Sequence, residues 1–201
     1  AGTHFGLATD HIEQRLAASR AILFARRSER KRPHLDDKII TSWNGLLIGA
    51  LARGSIVLKD PALLEYGIQA ATFIRNHLYN EQSKTLMRRY REGEAGLAGQ
   101  LADYAALTTE LIELYQAAQD PVWLQWAVAL TARQIELFWN KDGNFFYDSA
   151  ADTRIAVRMK SSYDGAEPAA NSFAVANLIQ LGHLRSMSSW LDMATQLIQS
   201  F

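Results

Sequence analysis

The sequence predicts an all-α fold, an αα-hairpin array that forms part of an (α/α)6 toroid, with one or two short β-hairpins. One observation is a repeat, because Asp60-Pro61 and Asp120-Pro121 open similar amphipathic stretches sixty residues apart. The other is the order of the segments, in which two helical stretches and a polar excursion recur about three times. Such a period is typical of one unit stacked on copies of itself, either as a closed ring or as an open solenoid.

Apolar residues at helical spacing predict seven helices along the chain. The first helix ends in a basic segment before Pro33, which stops a helix because its ring removes a backbone donor. Thr41 or Ser42 caps the second helix, and Asp60 caps the third, with Pro61 in the first helical position. The predicted helices span residues 10–31, 42–58, 61–79, 100–118, 121–140, a stretch from Pro168 or Asn171 to about 184, and 189–201.

Short extended segments separate these helices. Residues 84–91 are predicted to form a strand, and a Gly-rich link from Gly93 to Gly99 follows it. Asp142-Gly143 is a turn signal before residues 144–147, which we expect to form a short strand. Residues 154–159 are predicted to pair with that strand as a β-hairpin.

Small and aromatic residues indicate how the helices pack. Gly45 and Gly49 lie four residues apart on one face of the second helix and predict close contact with a neighbouring helix. Tryptophans at helical spacing are more typical of a core than of a ligand site. We therefore assign the following residues to the core: Trp123, Trp126, Trp139 and Trp190.

The composition excludes several classes of function. The 201 residues include 21 basic and 21 acidic side chains, so the formal net charge is zero and favours neither nucleic acid nor an anionic membrane. The absence of cysteine excludes disulfides and thiol catalysis and fits a cytoplasmic location. The five histidines lack metal-ligand spacing, and no apolar run approaches the roughly 20 residues of a membrane span. We expect no metal, no cofactor, no nucleic-acid partner and no membrane association.

Three polar clusters fall where a loop meets the first helix of a hairpin. They are His34 to Lys38 with Trp43-Asn44, then Asp103-Tyr104, and finally Asp164 to Pro168 with Asn171-Ser172. Trp43-Asn44 and Asp103-Tyr104 lie sixty residues apart, so the repeat places them at equivalent positions on one concave surface. Aspartate before a helix is also a common N-cap, and this structural role is the alternative for each acidic residue.

Carboxylates, amides and aromatic rings in one cleft are suited to a saccharide-like ligand. Carboxylates and amides bind hydroxyl groups, aromatic faces pack on sugar rings, and two carboxylates serve acid–base cleavage of a glycosidic bond. Carboxylates that share a cleft are expected to perturb the pKa of at least one of them. The candidate catalytic residues are Asp37, Asp103, Asp164 and Glu167. The candidate substrate-binding residues are Trp43, Asn44, Arg88, Tyr104 and Asn171.

These clusters, in this order, resemble the spermatogenesis-associated protein family, whose members carry an N-terminal thioredoxin-like domain and a C-terminal helical toroid. The resemblance covers about residues 16 to 200 and implies a six-hairpin toroid similar to N-acylglucosamine 2-epimerases and six-hairpin glycosidases. The sequence departs from the commoner pattern at Ala102, where an acidic residue is frequent, and at Ala169, where serine is frequent. The matching segments are Leu35-Asp36-Asp37-Lys38, Ser42-Trp43-Asn44-Gly45-Leu46, Leu86-Met87-Arg88, Leu101-Ala102-Asp103-Tyr104-Ala105, Asp164-Gly165-Ala166-Glu167-Pro168 and Asn171-Ser172.

Two hypotheses of function follow. The first is a carbohydrate-related domain, epimerase- or glycosidase-like. The second is a non-catalytic toroid that binds a ligand or the thioredoxin-like domain of the full protein, with the polar clusters acting as helix caps. We expect residues 1–201 to form a single domain, a fragment of a larger toroid, with the thioredoxin-like domain upstream of the chain. Three and a half hairpins cannot close a ring of six, so we expect exposed apolar end faces that promote self-association.

Overall fold

A computed structural model describes Gly6 and residues 8–201, and seven α-helices account for more than half of the chain. The predicted all-α fold is confirmed. The chain divides into two compact units, of which the first ends at Asp37 and the second runs from Lys38 to Phe201. The first unit contains α1 (Thr9–Ser28). The second contains β1 (Ile39–Ile40), α2 (Thr41–Leu58), α3 (Pro61–His77), β2 (Tyr79–Asn80), β3 (Thr85–Arg91), β4 (Glu94–Ala98), α4 (Leu101–Ala118), α5 (Pro121–Phe138), β5 (Trp139–Asn140), β6 (Phe145–Phe146), α6 (Ala170–Leu184) and α7 (Ser188–Gln199).

Three αα-hairpins build the second unit. The hairpins are α2–α3, α4–α5 and α6–α7, and the two helices of each pair pack against each other. The first helices also pack side by side, because α4 contacts both α2 and α6. Helix α4 is consequently the most deeply buried element, and α2, α4 and α6 form an inner layer covered by the second helices. This inner and outer arrangement is that of an αα-toroid.

The sixty-residue repeat is visible in the hydrogen bonds of the hairpins. Asp60 Oδ1 accepts from the Ala62 N–H at 3.0 Å, and Asp120 Oδ1 accepts from the Val122 N–H at the same distance. Proline occupies the first turn of α3 and of α5, where its missing N–H costs nothing. The predicted N-cap at Asp60 is therefore confirmed, and Asp120 repeats it. The predicted cap at Thr41 or Ser42 is wrong, because Ile40 is the N-cap of α2 and provides no side-chain hydrogen bond.

The repeat also continues past the helices. Helices α3 and α5 end two residues before the predicted boundaries because the chain enters the strands β2 and β5. Strand β2 pairs with β3, and β5 pairs with β6, in the same antiparallel register sixty residues apart. The first two αα-hairpins therefore each end in a short β-hairpin that starts the return to the next inner helix.

Two predictions about the strands are wrong. Residues 145–146 pair with β5, whereas residues 154–159 form turns and irregular backbone, because β5 follows α5 directly and occupies the β6 edge. The Gly-rich segment after residue 91 is not a simple link, since it forms β4 and pairs with β3. Glu92 and Gly93, both with positive φ, form the tight turn of that hairpin.

Two glycines of α2 allow the inner helices to approach closely, as predicted. A Cβ atom on Gly45 would lie 3.1 Å from the backbone N and Cα of Leu107 in α4. A Cβ atom on Gly49 would overlap the carboxylate of Glu110, also in α4. The α2–α4 contact therefore leaves no free space for a side chain at Gly45, and one at Gly49 would displace the Glu110 carboxylate.

Three of the four tryptophans assigned to the core are buried, and the fourth is half-buried. In contrast, apolar side chains of two helices are exposed. Trp139 is half-buried, and its ring packs edge-on against Phe146 with 4.9 Å between the centroids. The apolar stripe of α1 contributes no buried residue. The buried tryptophans are Trp123, Trp126 and Trp190. The exposed apolar side chains of α1 and α2 include Leu16, Ile22, Leu23, Phe24, Leu47, Ile56, Val57 and Leu58.

The close α2–α4 contact predicts a specific loss of stability. Gly45→Ala should lower the free energy of unfolding by about 1–3 kcal/mol, because the new methyl group meets backbone atoms that cannot rotate away. Gly67→Ala in α3 is the control, since its Cβ would meet only ordinary contacts of 3.5 Å or more and alanine favours a helix. Urea denaturation measures both variants, and equal stability of the two would contradict the account.

Candidate functional site

The amino ends of the three inner helices meet at one side of the second unit. The Thr41 hydroxyl at the start of α2 donates to the Met87 carbonyl of β3 at 2.7 Å. The Leu101 N–H at the start of α4 donates at 2.9 Å to the carbonyl of Asp148, in the long segment before α6. We call this region the mouth and define it as residues 41–44, 86–88, 99–104 and 161–172.

Asp103 is the polar centre of the mouth and is fully buried. Its Oδ1 accepts from the Ser42 N–H at 3.2 Å, and its Oδ2 accepts from the Gln100 N–H at 2.9 Å. Arg88 Nη1 donates to the same Oδ2 at 3.2 Å and to Gln100 Oε1 at 3.1 Å. One carboxylate therefore caps α4, binds the amino end of α2 and holds β3.

Burial raises the pKa of Asp103, and the hydrogen bonds from Gln100 and Ser42 and the charge of Arg88 oppose that rise. The sequence predicts a carboxylate with a perturbed pKa, but it predicts like charges in an open cleft as the cause. Desolvation is the main cause instead, because the side chain is enclosed by protein. Asp103 has no exposed surface with which to contact a ligand.

Trp43 and Glu167 form an exposed polar contact at the mouth. The indole Nε1–H of Trp43 donates to Glu167 Oε1 at 2.8 Å, although the two residues are 124 positions apart. Trp43 is 57% exposed, and Glu167 lies in an exposed loop segment. The first turn of α2 and the loop before α6 therefore present an aromatic face beside a carboxylate.

Asp164 and Asn171 shape the loop before α6. Asp164 Oδ1 accepts from the Ala169 N–H at 2.7 Å and from the Ser172 hydroxyl at 3.0 Å, so this carboxylate caps the start of α6. The buried Asn171 amide bonds both backbone groups of Phe146 at 3.1 Å and donates to the Ser161 carbonyl at 3.0 Å. Asp164 remains exposed, whereas Asn171 has its polar atoms engaged inside the protein.

The other candidate residues, Tyr104, Asn44 and Asp37, each have a different environment. The buried Tyr104 hydroxyl accepts from the Leu86 N–H at 2.8 Å, and its ring packs on Phe138. Asn44 Nδ2 donates to the Ile40 carbonyl at 2.9 Å. Asp37 is exposed and ends the first compact unit, and its catalytic role stays a prediction. Second-unit candidates thus meet at the mouth, but Asp103, Tyr104 and Asn171 are buried within it.

Sequence reasoning missed a buried carboxylate between the inner helices. Glu110 of α4 lies against Gly49, and its Oε2 is 3.4 Å from Arg53 Nη2. Burial raises the pKa of Glu110 to about 7, while Arg53 lowers it and Glu113 raises it further. The sequence signal for this site is an acidic residue, Glu110, that stands between Leu107 and Leu111. It lies on the face of α4 that packs against the glycines of α2.

The described residues contain no group of three or more acidic, histidine or cysteine side chains arranged to hold a metal ion. No helix in the same part of the chain is both long and apolar enough to cross a membrane.

The inner layer, the outer layer and the mouth place the second unit in the class of αα-toroid proteins. A cellobiose 2-epimerase from Bacillus thermoamylovorans has the same fold, with a TM-score of 0.67, 12% identity, and coverage of 83% of this chain and 45% of the epimerase. An inactive α-1,6-mannanase variant from a Salegentibacter species, in which two adjacent aspartates are replaced by asparagine, was solved with α-1,6-mannotriose. Its TM-score is 0.64 at 12% identity, covering 81% of this chain and 46% of the mannanase.

Human spermatogenesis-associated protein 20 is 34% identical to the chain over 207 residues. This match covers 98% of the chain and 26% of the human protein, so the chain spans about a quarter of that relative. No family model matches the chain. Spermatogenesis-associated protein 20 is a homologue along the whole length of this chain, which confirms the resemblance predicted from the motifs.

The contacts of Asp103 predict a structural effect. Asp103→Asn should lower the free energy of unfolding by about 1–3 kcal/mol. The reason is that the amide NH2 would face an N–H donor from which a carboxylate oxygen now accepts a hydrogen bond. Asp192→Asn, at an exposed position of α7, is the matched control. Urea denaturation measures the difference, and a variant as stable as the wild type would contradict the anchoring role.

The raised pKa of Glu110 predicts a pH dependence. Between its ordinary pKa of 4.5 and about 7, the folded protein binds more protons than the unfolded chain, so this carboxylate lowers stability as the pH rises. From pH 5 to pH 8, the wild type should lose on the order of 1–3 kcal/mol relative to Glu110→Gln. Thermal unfolding at both pH values measures this change. Glu94→Gln, at an exposed position of β4, should follow the wild type. Parallel profiles for wild type and Glu110→Gln would be the contrary result.

Proposed function

We propose that the chain forms the saccharide-binding part of a larger toroid protein and that the ligand binds at the mouth. The observation that carries this proposal is the exposed indole of Trp43, whose N–H is hydrogen-bonded to the Glu167 carboxylate at 2.8 Å. An aromatic face offers a flat apolar surface to the C–H face of a sugar ring. The carboxylate beside it accepts hydrogen bonds from sugar hydroxyl groups. This pairing occurs in the mouth of a fold that known carbohydrate enzymes share.

Hydrogen bonds fix the segments that carry Trp43 and Glu167, and this supports a binding role for the pair. Trp43 lies in the first turn of α2, whose amino end is fixed by Asp103 and by the bond from Thr41 to Met87. Glu167 lies between Asp164 and the first turn of α6, which Asp164 caps. A ligand therefore meets side chains that are already positioned, so less conformational entropy is lost on binding.

The solved neighbours support the chemical class of the ligand. One acts as a cellobiose epimerase, and the other, an α-1,6-mannanase variant, holds α-1,6-mannotriose. We propose an epimerase- or glycosidase-like reaction for the whole protein. Glu167 and Asp164 are exposed carboxylates of the mouth and are our candidates for the acid–base pair. The catalytic role of Asp37, in the first unit, stays a prediction of its own.

The non-catalytic alternative has its own support. Several large apolar side chains of α1 and α2 are exposed, and such faces often mark sites of protein contact. Under this alternative the occupant is the thioredoxin-like domain that we expect in the full protein, or a second copy of the chain. The experiment below separates the two functions, because Trp43 and Glu167 matter to a saccharide, whereas partner binding would depend on the apolar faces.

Trp43→Ala should weaken binding of α-1,6-mannotriose or cellobiose at least tenfold, which corresponds to about 1.4 kcal/mol of lost stacking. Glu167→Gln should also weaken binding, because the amide accepts fewer hydrogen bonds from hydroxyl groups. Isothermal titration calorimetry on the chain measures affinity, and the melting temperature should stay unchanged for both variants.

Tyr66→Ala is the matched control, since Tyr66 is a 58% exposed aromatic residue on the outer helix α3. This variant should bind like the wild type. The proposal fails if the wild type binds neither saccharide, or if Trp43→Ala binds as tightly as Tyr66→Ala.

A further inference from the structure

A second aromatic ring lies in the same loop as Glu167. Tyr163 is 85% exposed, the highest exposure of any large apolar or aromatic side chain among the described residues. Burying such a ring in a binding site removes a large apolar area from water, whereas leaving it exposed gives the protein no stability. Tyr163 is therefore available to contact a ligand.

The backbone on both sides of Tyr163 is anchored. On one side, the Ser161 hydroxyl donates to Asp148 Oδ2 at 2.6 Å, and the Ser161 carbonyl accepts from Asn171 at 3.0 Å. On the other side, Asp164 accepts from the Ala169 N–H at 2.7 Å. A long segment without regular structure is usually either functional or disordered, and these bonds argue against disorder. Tyr163 is thus presented from a fixed support.

Gly165 lies beside the ring of Tyr163. A Cβ atom at residue 165 would lie 3.1 Å from Tyr163 Cε1, so a side chain there would displace the ring. The Gly165 N–H donates at 3.0 Å to the carbonyl of Glu167, which closes a tight turn. The ring edge at Cε1 lies next to this turn, and the 85% exposure of the side chain shows that most of the ring is open to solvent.

The same turn connects Tyr163 to the proposed saccharide site. Trp43 contacts Glu167 through its side-chain carboxylate, and Gly165 contacts Glu167 through its backbone carbonyl. Both exposed rings therefore adjoin the one turn that carries the Glu167 carboxylate. A single sugar ring is covered by one aromatic face, whereas two aromatic side chains next to one carboxylate suit two or more linked sugar rings.

Resting on the proposed function, we infer that Tyr163 forms a second subsite and that the mouth selects an oligosaccharide of at least two rings over a monosaccharide. Trp43 and Glu167 hold one sugar ring, and Tyr163 stacks on a neighbouring ring of the same chain. Gly165 is a positioning residue, because a side chain there would push the tyrosine ring off the turn.

The test compares α-1,6-mannotriose with mannose by isothermal titration calorimetry. Tyr163→Ala should weaken mannotriose binding about tenfold and leave mannose binding unchanged, because only the longer ligand reaches the second ring. Tyr163→Phe should bind mannotriose like the wild type, since it keeps the ring. Gly165→Ala should weaken mannotriose binding in the same direction as Tyr163→Ala, with Tyr66→Ala as the neutral control.

The possible failures can be told apart. If the wild type binds mannotriose and Trp43→Ala loses it, but Tyr163→Ala binds normally, the second subsite is refuted and the proposed function stands. An equal loss of mannose and mannotriose in Tyr163→Ala also refutes the subsite. If the wild type binds neither saccharide, both the proposed function and the subsite are overturned.

Discussion

The buried carboxylate of Asp103 is the interaction on which the mouth depends. Its two oxygens accept from the amino ends of α2 and α4 and from Arg88 of β3. Burying an ionised group is costly, and these donors offset much of that cost. Because the three elements come from different parts of the chain, this one residue aligns two inner helices and the central strand of the sheet beside them. The position of Trp43 follows from that alignment.

The polar residues of the mouth divide into two groups by exposure. Asp103, Tyr104 and Asn171 have their polar atoms bonded inside the protein, and they hold the loops in place. Trp43 and Glu167 reach the surface and bond each other there. A buried framework that carries exposed groups is the arrangement that precise binding requires, because the ligand contacts then depend on supports that do not move.

The sequence predicted the helices well because their signals are local. The Asp-Pro repeat marks helix starts at Asp60 and Asp120, and the glycines of α2 mark a close helix contact. The pairing of β5 with β6 was missed because a two-residue strand has almost no periodicity of its own. The types of site residue were predictable, but their exposure was not. Burial of Asp103 and exposure of Tyr163 arise from contacts between distant segments, which spacing along the chain does not encode.

The central claim is that a saccharide binds at the exposed Trp43 indole. The chain has five tryptophans, and each indole N–H gives a separate signal in a 15N-resolved NMR spectrum of the labelled chain. On titration with α-1,6-mannotriose, the account predicts that the Trp43 indole signal shifts, because its N–H is bonded to Glu167 at the site. The indole signals of the buried Trp123, Trp126 and Trp190 should stay in place. A titration that moves none of the indole signals, or moves a buried one while Trp43 stays fixed, would contradict the account.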